Sequence, residues 1–468
     1  MTETEINADY LVVGAGAMGM AFADVLLTDS NATIALVDRL DKPGGHWNHA
    51  YPFVRLHQPS AYYGVNSRKM GEDRLDMSGR NKGMMELAGA NEILAYFDTV
   101  MRRDFLPTGR VQYFPQCEYE GDGQFRSVVN GDRFRAKTKK TVDATYMKVR
   151  VPQVTPPQFE VADGVEVVAP NRLGAIGNAY ECFVVVGAGK TSFDSCLYLL
   201  DLGVDPDRIL WVKPREAWLI DREKMQPEGF GGPTLVQNMM EQTAAVAAST
   251  SLEDMFKRVE EIGGLIRIEE DMDPTMYRCA TISQAELKDL RRIKNVIRMG
   301  RVTRIDPGQM SLERGKASCP KNSLFINCTA DGLERRPKKP VFDGDHITLQ
   351  AVRPCQQLFA AAMIGYVECT VADEARKNEL CQPTPHPDST ADYLTFIQDM
   401  MRGQMLWSTD PDLHKWLLAA RLDAMTTESF AATLEGRGPM TPEALQTMVQ
   451  TAMAKVSAYH KEMLAKAA

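Results

Sequence analysis

No two of the chain's nine cysteines stand in a C-x-x-C or C-x-x-x-x-C pair. The neighbouring thiols that a disulfide reductase uses are therefore missing, and free thiols in a reducing compartment are expected. The seven histidines show no H-E-x-x-H or other ligand spacing, so neither a structural nor a catalytic metal is expected. Positive charge is scarce: 54 Lys and Arg stand against 62 Asp and Glu, a net charge of -8, which discourages nucleic-acid binding. The short basic runs at Lys137 to Lys140 and Arg335 to Lys339 read as solvated surface. No apolar run approaches the length of a membrane span. Met1 to Asp9 is polar and acidic rather than leader-like, so a cytoplasmic protein without a membrane partner is expected. What remains is ordinary for a globular chain, 44% hydrophobic and 25% charged over 468 residues, enough for two or three domains with their own cores.

The stretch from Tyr10 to Asp38 carries the first positive signal. Tyr10-Leu11-Val12-Val13 is a short apolar run suited to a buried parallel strand, and it breaks into Gly14-Ala15-Gly16-Ala17-Met18-Gly19. Met18, Ala21, Phe22, Val25 and Leu26 then recur at helical spacing, and Thr33 to Val37 forms a second strand ending in Asp38 and Arg39. In this layout Gly14 permits the tight turn, Gly16 lets backbone approach a pyrophosphate, and Gly19 allows close packing of helix on strand. Asp38 is placed to accept the ribose hydroxyls of an adenosine and would repel a 2′-phosphate, so the expected ligand is FAD or NAD.

A second such signature follows. Phe183 to Val186 is a strand, Gly187-Ala188-Gly189-Lys190-Thr191-Ser192 is a glycine-rich turn, and Phe193 to Leu202 supplies a helix. An NTPase loop would need glycine where Val184 stands. The next strand ends in Lys213-Pro214-Arg215, and positive charge there suits the 2′-phosphate of NADP. Gly187, Gly189, Lys190, Ser192, Lys213 and Arg215 are thus candidate ligands of a nicotinamide nucleotide, NADPH first and NADH as the alternative. A turn that keeps its glycines only for packing remains open. Leu235 to Glu261 is helical by composition, after a loop at Gly229 to Pro233, and Ser283 with Glu286 forms a capping box at the start of another helix. The methionine-rich helices beyond Pro387 read as a cap or a homo-oligomer contact.

Gly44-Gly45-His46-Trp47 resembles the G-G-x-W segment of flavin-containing and Baeyer-Villiger monooxygenases. That resemblance favours FAD and implies that Gly45, His46 and Trp47 run beside its pyrophosphate and flavin. Tyr51 to Pro59 resembles the family's next segment and implies His57 and Gln58 as the polar groups nearest the reactive edge of the flavin, Gln58 standing where these enzymes usually carry Asn. Thr141 to Tyr146 and Leu324 to Gly332 resemble the two Ala-Thr-Gly strands at which the chain crosses between domains, and the second implies Thr329 and Asp331 beside the cofactor. Pro354 is expected in the first turn of a late helix whose N-terminus faces the flavin.

The implied architecture is α/β, with two Rossmann-like dinucleotide-binding domains. A discontinuous FAD domain would span 1–150 and 301–380, and an NAD(P) domain 151–300 would carry a helical insertion from about 223. Residues 381–468 would form a helical cap. The implied activity is NADPH-dependent oxidation of a small organic substrate through a flavin C4a-peroxide. Two departures weigh against carrying that over whole: Tyr146 replaces a glycine, and Phe159 to Pro170 lacks the family's F-x-G-x-x-x-H fingerprint. An FAD-dependent dehydrogenase, oxidase or reductase without oxygen insertion stays open, as does a non-catalytic flavin-binding regulator.

Overall fold

The computed structural model describes residues 3–177, 179–230, 234–427 and 440–467. Of the loop expected at Gly229 to Pro233, residues 231–233 lie outside the described residues. Two mainly parallel sheets organise the molecule. The first runs in the order Phe342–Asp343, His346–Thr348, Lys140–Asp143, Tyr10–Val13, Ile34–Val37, Val111–Phe114, parallel throughout except for its terminal hairpin. The second is parallel from edge to edge: Glu166–Val168, Ser323–Asn327, Cys182–Val186, Ile209–Val212, Val296–Ile297. Central strands such as Cys182–Val186 and Ser323–Asn327 are buried at every residue, which is why they read as continuous apolar runs instead of alternating ones.

Each glycine-rich turn leads from the middle of one sheet into a helix, Ala17–Asp29 in the first domain and Lys190–Asp201 in the second. The expected pair of Rossmann-like domains is the observed architecture. Each sheet carries a four-stranded satellite, one joining Thr4–Asn7 to Arg133–Lys137, Gln124–Ser127 and Cys117–Gly121, the other joining Glu160–Val161 to the meander of Val302–Asp306, Gln309–Leu312 and Gly315–Ser318.

The two crossings between domains lie side by side. Val149 bridges Leu333, and the Arg150 N–H donates to the Gly332 carbonyl at 3.1 Å. Residues 302–327 pair within the sheets of the second domain, so the return to the first domain comes at about Cys328 and not at the expected residue 301.

The insertion and the C-terminal region form one helical layer. Helices Leu235–Ala248 and Leu252–Glu261 sit between the paired strands Ala217–Asp221 and Met276–Ile282, and Thr390–Ser408 and Pro442–Ala467 pack onto them. Trp218, Tyr277, Tyr393 and Val456 share one buried cluster there. Ser283 and Glu286 make the expected capping box on Gln284–Leu290. Among the described residues, no helix is long and apolar enough to cross a membrane.

Candidate dinucleotide and active site

The first turn is shaped by atoms its glycines do not have. Gly14 adopts φ +107°, a left-handed value that favours glycine. A Cβ on Gly19 would lie 1.9 Å from the Gly14 carbonyl oxygen, so this position sets how closely the helix can approach the strand. Gly44 donates to the Ala15 carbonyl at 2.9 Å, and that bond lays Gly45 over Gly16, where a Cβ on Gly45 would come to 3.0 Å from the Gly16 Cα. The first helical bond runs from Met20 N–H to the Gly16 carbonyl, and no side chain caps the helix start. The N–H groups of Ala17, Met18 and Gly19 therefore have no partner within the helix. A bare backbone cradle at the positive end of a thirteen-residue helix fits a pyrophosphate in form and in charge.

Asp38 is 8% exposed. Its carboxylate accepts the Ala15 N–H at 2.6 Å and the Leu40 N–H at 2.8 Å. Burial raises its pKa, and the two N–H groups oppose that shift. Asp38 thus braces the turn while each oxygen keeps a further lone pair. Arg39 is exposed.

The segment after Gly45 runs toward the second domain. His46 lies tilted against Trp47 with ring centroids 5.2 Å apart, and the Trp47 indole N–H donates to the Tyr63 hydroxyl at 2.6 Å. Phe53 stacks on Tyr198 at 4.0 Å, and the Tyr51 hydroxyl donates to Asp194 at 2.6 Å, so residues 51–58 are clamped onto the helix of the second turn. The His57 Nδ1 accepts the Thr281 N–H at 3.2 Å. Burial first, then the charges of Lys190 and Arg222, push the His57 pKa down to about 3. Arg222, 1% exposed, donates to the His57 carbonyl at 3.1 Å and to Glu286 at 2.7 Å.

The second turn is packed differently from the first. Gly187, at φ +143°, is packed so that a Cβ would lie 2.7 Å from the Cys328 carbonyl, while Gly189 is open. The Ser192 hydroxyl donates to the Gly189 carbonyl at 2.6 Å. Each of the three expected cationic ligands has a carboxylate partner. Lys190 pairs with Asp194. Lys213 is 2% exposed, pairs with Glu216 at 2.9 Å and lies over the Trp211 ring. Arg215 forms a two-pronged pair with Asp388 at 2.8 and 2.9 Å.

Thr329 and Asp331 belong to the returning crossing. The Thr329 hydroxyl donates to Asn327 at 2.7 Å, and Asp331 accepts from Arg278 at 2.6 Å. Arg278 also holds Asp388.

Gln58 lines a cavity of about 100 Å³, walled chiefly by apolar side chains including Met225, Met239, Met400 and Met425. Cys279 and Cys355 also line it and are joined as a disulfide, which corrects the expectation of free thiols throughout. Their separation of 76 residues leaves no local spacing to read. Sequence reasoning also missed Arg222, Glu286 and Arg278. Glu286 was legible as a capping-box residue but not as the partner of Arg222. The late helix begins at Gln357 with Gln356 as its N-cap, so Pro354 precedes the helix and does not sit in its first turn.

No family model matches the chain. Among solved structures it is similar to the closed form of cyclohexanone monooxygenase, at 15% identity and TM-score 0.47 over 98% of both chains. It is also similar to a mutant flavin monooxygenase from Stenotrophomonas maltophilia, at 13% identity and TM-score 0.46 over 80% of this chain and 99% of that one. An NADP-bound steroid monooxygenase overlaps it at 14% identity and TM-score 0.46, over 78% of this chain and 86% of that one. Sequence likeness is much stronger elsewhere. The uncharacterized proteins Rv2000 of Mycobacterium tuberculosis and Mb2023 of Mycobacterium bovis are each 50% identical to it over 424 residues, 90% of this chain and 78% of theirs. With identity at that level over nine tenths of its length, the chain belongs to the family of these mycobacterial proteins.

Proposed function

We propose that the protein is an FAD-dependent oxidoreductase that takes reducing equivalents from NADPH or NADH and oxidises a small organic substrate as a monooxygenase. The observation that carries this reading is the cradle at Gly14, Gly16, Gly19 and Gly45, open to an anion at an uncapped helix start. FAD, when bound, supplies the two-electron chemistry that no protein side chain offers. The chain's own residues do the rest. The cradle holds the pyrophosphate, Asp38 stands toward the adenosine, and Trp47, fixed by Tyr63, walls the path onward.

The protonation state of His57 supports a hydrogen-bonding role. Its Nδ1 accepts a hydrogen bond, so the neutral ring carries its proton on Nε2. With a pKa near 3 it offers a hydrogen bond at neutral pH and does not act as an acid. Gln58 contributes an amide able to donate and accept in the wall of an apolar cavity, and apolar walls keep water from the reacting atoms.

A second reading, a dehydrogenase or oxidase without oxygen insertion in which the organic substrate itself reduces the flavin, is favoured by the second turn, where Lys190, Lys213 and Arg215 are each paired with a carboxylate. Stopped-flow reduction under anaerobic conditions separates the two. Flavin bleaching by NADPH or NADH alone supports the monooxygenase, whereas bleaching by an organic substrate with both nucleotides inert supports the second reading.

A further inference from the structure

We propose that the Cys279–Cys355 disulfide is a second redox centre, reduced to a dithiol by two electrons that enter from the nicotinamide nucleotide by way of the flavin site. This rests on the FAD reading above.

Position is the first argument. Cys279 lies in the strand Met276–Ile282 of the second domain, and Cys355 lies just before the late helix Gln357–Thr370 of the first. That helix runs parallel to Ala17–Asp29: Gly365 abuts Phe22 and Val25, and Cys369 reaches Ser30. Stepping back eight residues from Gly365 and from Val25 reaches Gln357 and Ala17, the first residues of the two helices. At equal rise per residue the two N-termini are level, and packed helices stand about 8–10 Å apart. The disulfide therefore sits beside the end of the molecule to which the pyrophosphate cradle opens, at the seam between domains.

Surroundings are the second. Both sulfur-bearing residues line the cavity that holds Gln58, and Gln356 follows Cys355 into it. The strand carrying Cys279 also presents the Thr281 N–H to His57 and the Arg278 guanidinium to Asp331 and Asp388. One strand thus joins the disulfide to the polar groups around the proposed flavin edge.

Backbone conformation is the third. Cys279 has φ +55° and Cys355 has φ +60°, left-handed values that L-residues rarely adopt. Residues held in such conformations cluster at working sites. The seven other cysteines are free thiols. Burial raises the pKa of Cys196, Cys328 and Cys381, which keeps these thiols protonated and poor at attacking the bridge.

In the step, hydride leaves the reduced nicotinamide, the Sγ–Sγ bond breaks, and two thiols form. The balance is NAD(P)H plus one solvent proton plus the disulfide, giving NAD(P)⁺ plus two thiols, with the flavin returned to its starting state.

The test uses air-oxidised, FAD-loaded protein under anaerobic conditions. The visible spectrum is recorded before and after excess NADPH or NADH. The sample is then quenched in denaturant with an alkylating agent and mapped by mass spectrometry. Alkylated cysteines are expected to rise from seven to nine, the two gained being Cys279 and Cys355. Titration should consume about twice as much nucleotide per FAD in the wild type as in Cys355→Ser. The wild-type map decides the matter even where that variant fails to fold. Flavin bleaching with Cys279 and Cys355 still unalkylated overturns the inference and leaves the FAD reading intact, as do nine alkylated cysteines before any nucleotide is added. A flavin that neither binds nor bleaches overturns both.

Discussion

Two glycines three residues apart do different work, and substituting each should show it. A Cβ at Gly16 meets nothing nearer than the Gly45 Cα at 3.6 Å, whereas a Cβ at Gly19 falls 1.9 Å from the Gly14 carbonyl oxygen. Gly16→Ala should fold with a nearly unchanged melting temperature yet lose FAD affinity by at least about tenfold, roughly 1.4 kcal/mol. Gly19→Ala should cost about 1–3 kcal/mol or more through overpacking, read as a lower denaturant midpoint before any ligand is added. Equal stability in the two variants would contradict this assignment.

Buried histidines set the pH dependence. His57 has a folded pKa of about 3, and His46 and His386 about 4, each lowered chiefly by burial. As pH falls below about 6.5 the unfolded chain binds protons at these sites and the folded chain does not, so stability drops by up to about 1.4 kcal/mol per pH unit for each. The slope ends near the folded values. Carboxylates act at lower pH: Asp9, held at about 2 first by its bond to Lys139, contributes stability that is lost only as pH falls below its unfolded value. Urea unfolding at about pH 7.5 and about pH 5 should show His57→Asn losing up to about 2 kcal/mol less than the wild type. Identical losses would mean that His57 is not buried neutral.

At the scale of elements, the late helix is held at its entry by a buried ion pair. Arg353 and Asp423 are 1% and 0% exposed at their side chains and meet at 2.6 Å, with the guanidinium also over Phe359 at 3.8 Å. This ties the start of Gln357–Thr370 to the C-terminal region. Asp423→Ala would leave a buried guanidinium unpaired and should cost about 3–5 kcal/mol in chemical denaturation. A loss under about 1 kcal/mol would show that the pair is solvated.

Elements were legible where their signals are local. The two strand–turn–helix units and the capping box at Ser283 each occupy a short window, because a tight turn, an apolar face and a cap are properties of neighbours in sequence. The helix after Pro354 was legible as apolar, but its start was displaced by the left-handed Cys355, which no propensity announces. The partners of Lys213 and Arg215 were not legible. A cation at a strand end suits a phosphate, yet Arg215 finds its carboxylate 173 residues away, and Lys213 is buried over Trp211 beside Glu216.

For the molecule as a whole, the chain leaves the first domain and returns to it through paired segments, so the two sheets share a seam. Across that seam lie the Tyr51–Asp194 bond, the Phe53–Tyr198 stack and the Arg222 contacts to His57. The same seam carries the Cys279–Cys355 bridge. The resemblance read from Thr141 to Tyr146 and from Leu324 to Gly332 anticipated the paired crossing, while the return was set too early at residue 301 because a meander strand such as Val302–Asp306 looks alike in either domain.

The central claim is that the first glycine turn holds FAD by its pyrophosphate. Titrating FAD into wild-type protein and into Gly16→Ala, followed by flavin absorbance and calorimetry, tests it most directly. The account predicts one FAD per wild-type chain and at least tenfold weaker binding in the variant. Wild-type protein that stays colourless and takes up no FAD, or a variant that binds it equally well, would contradict the account.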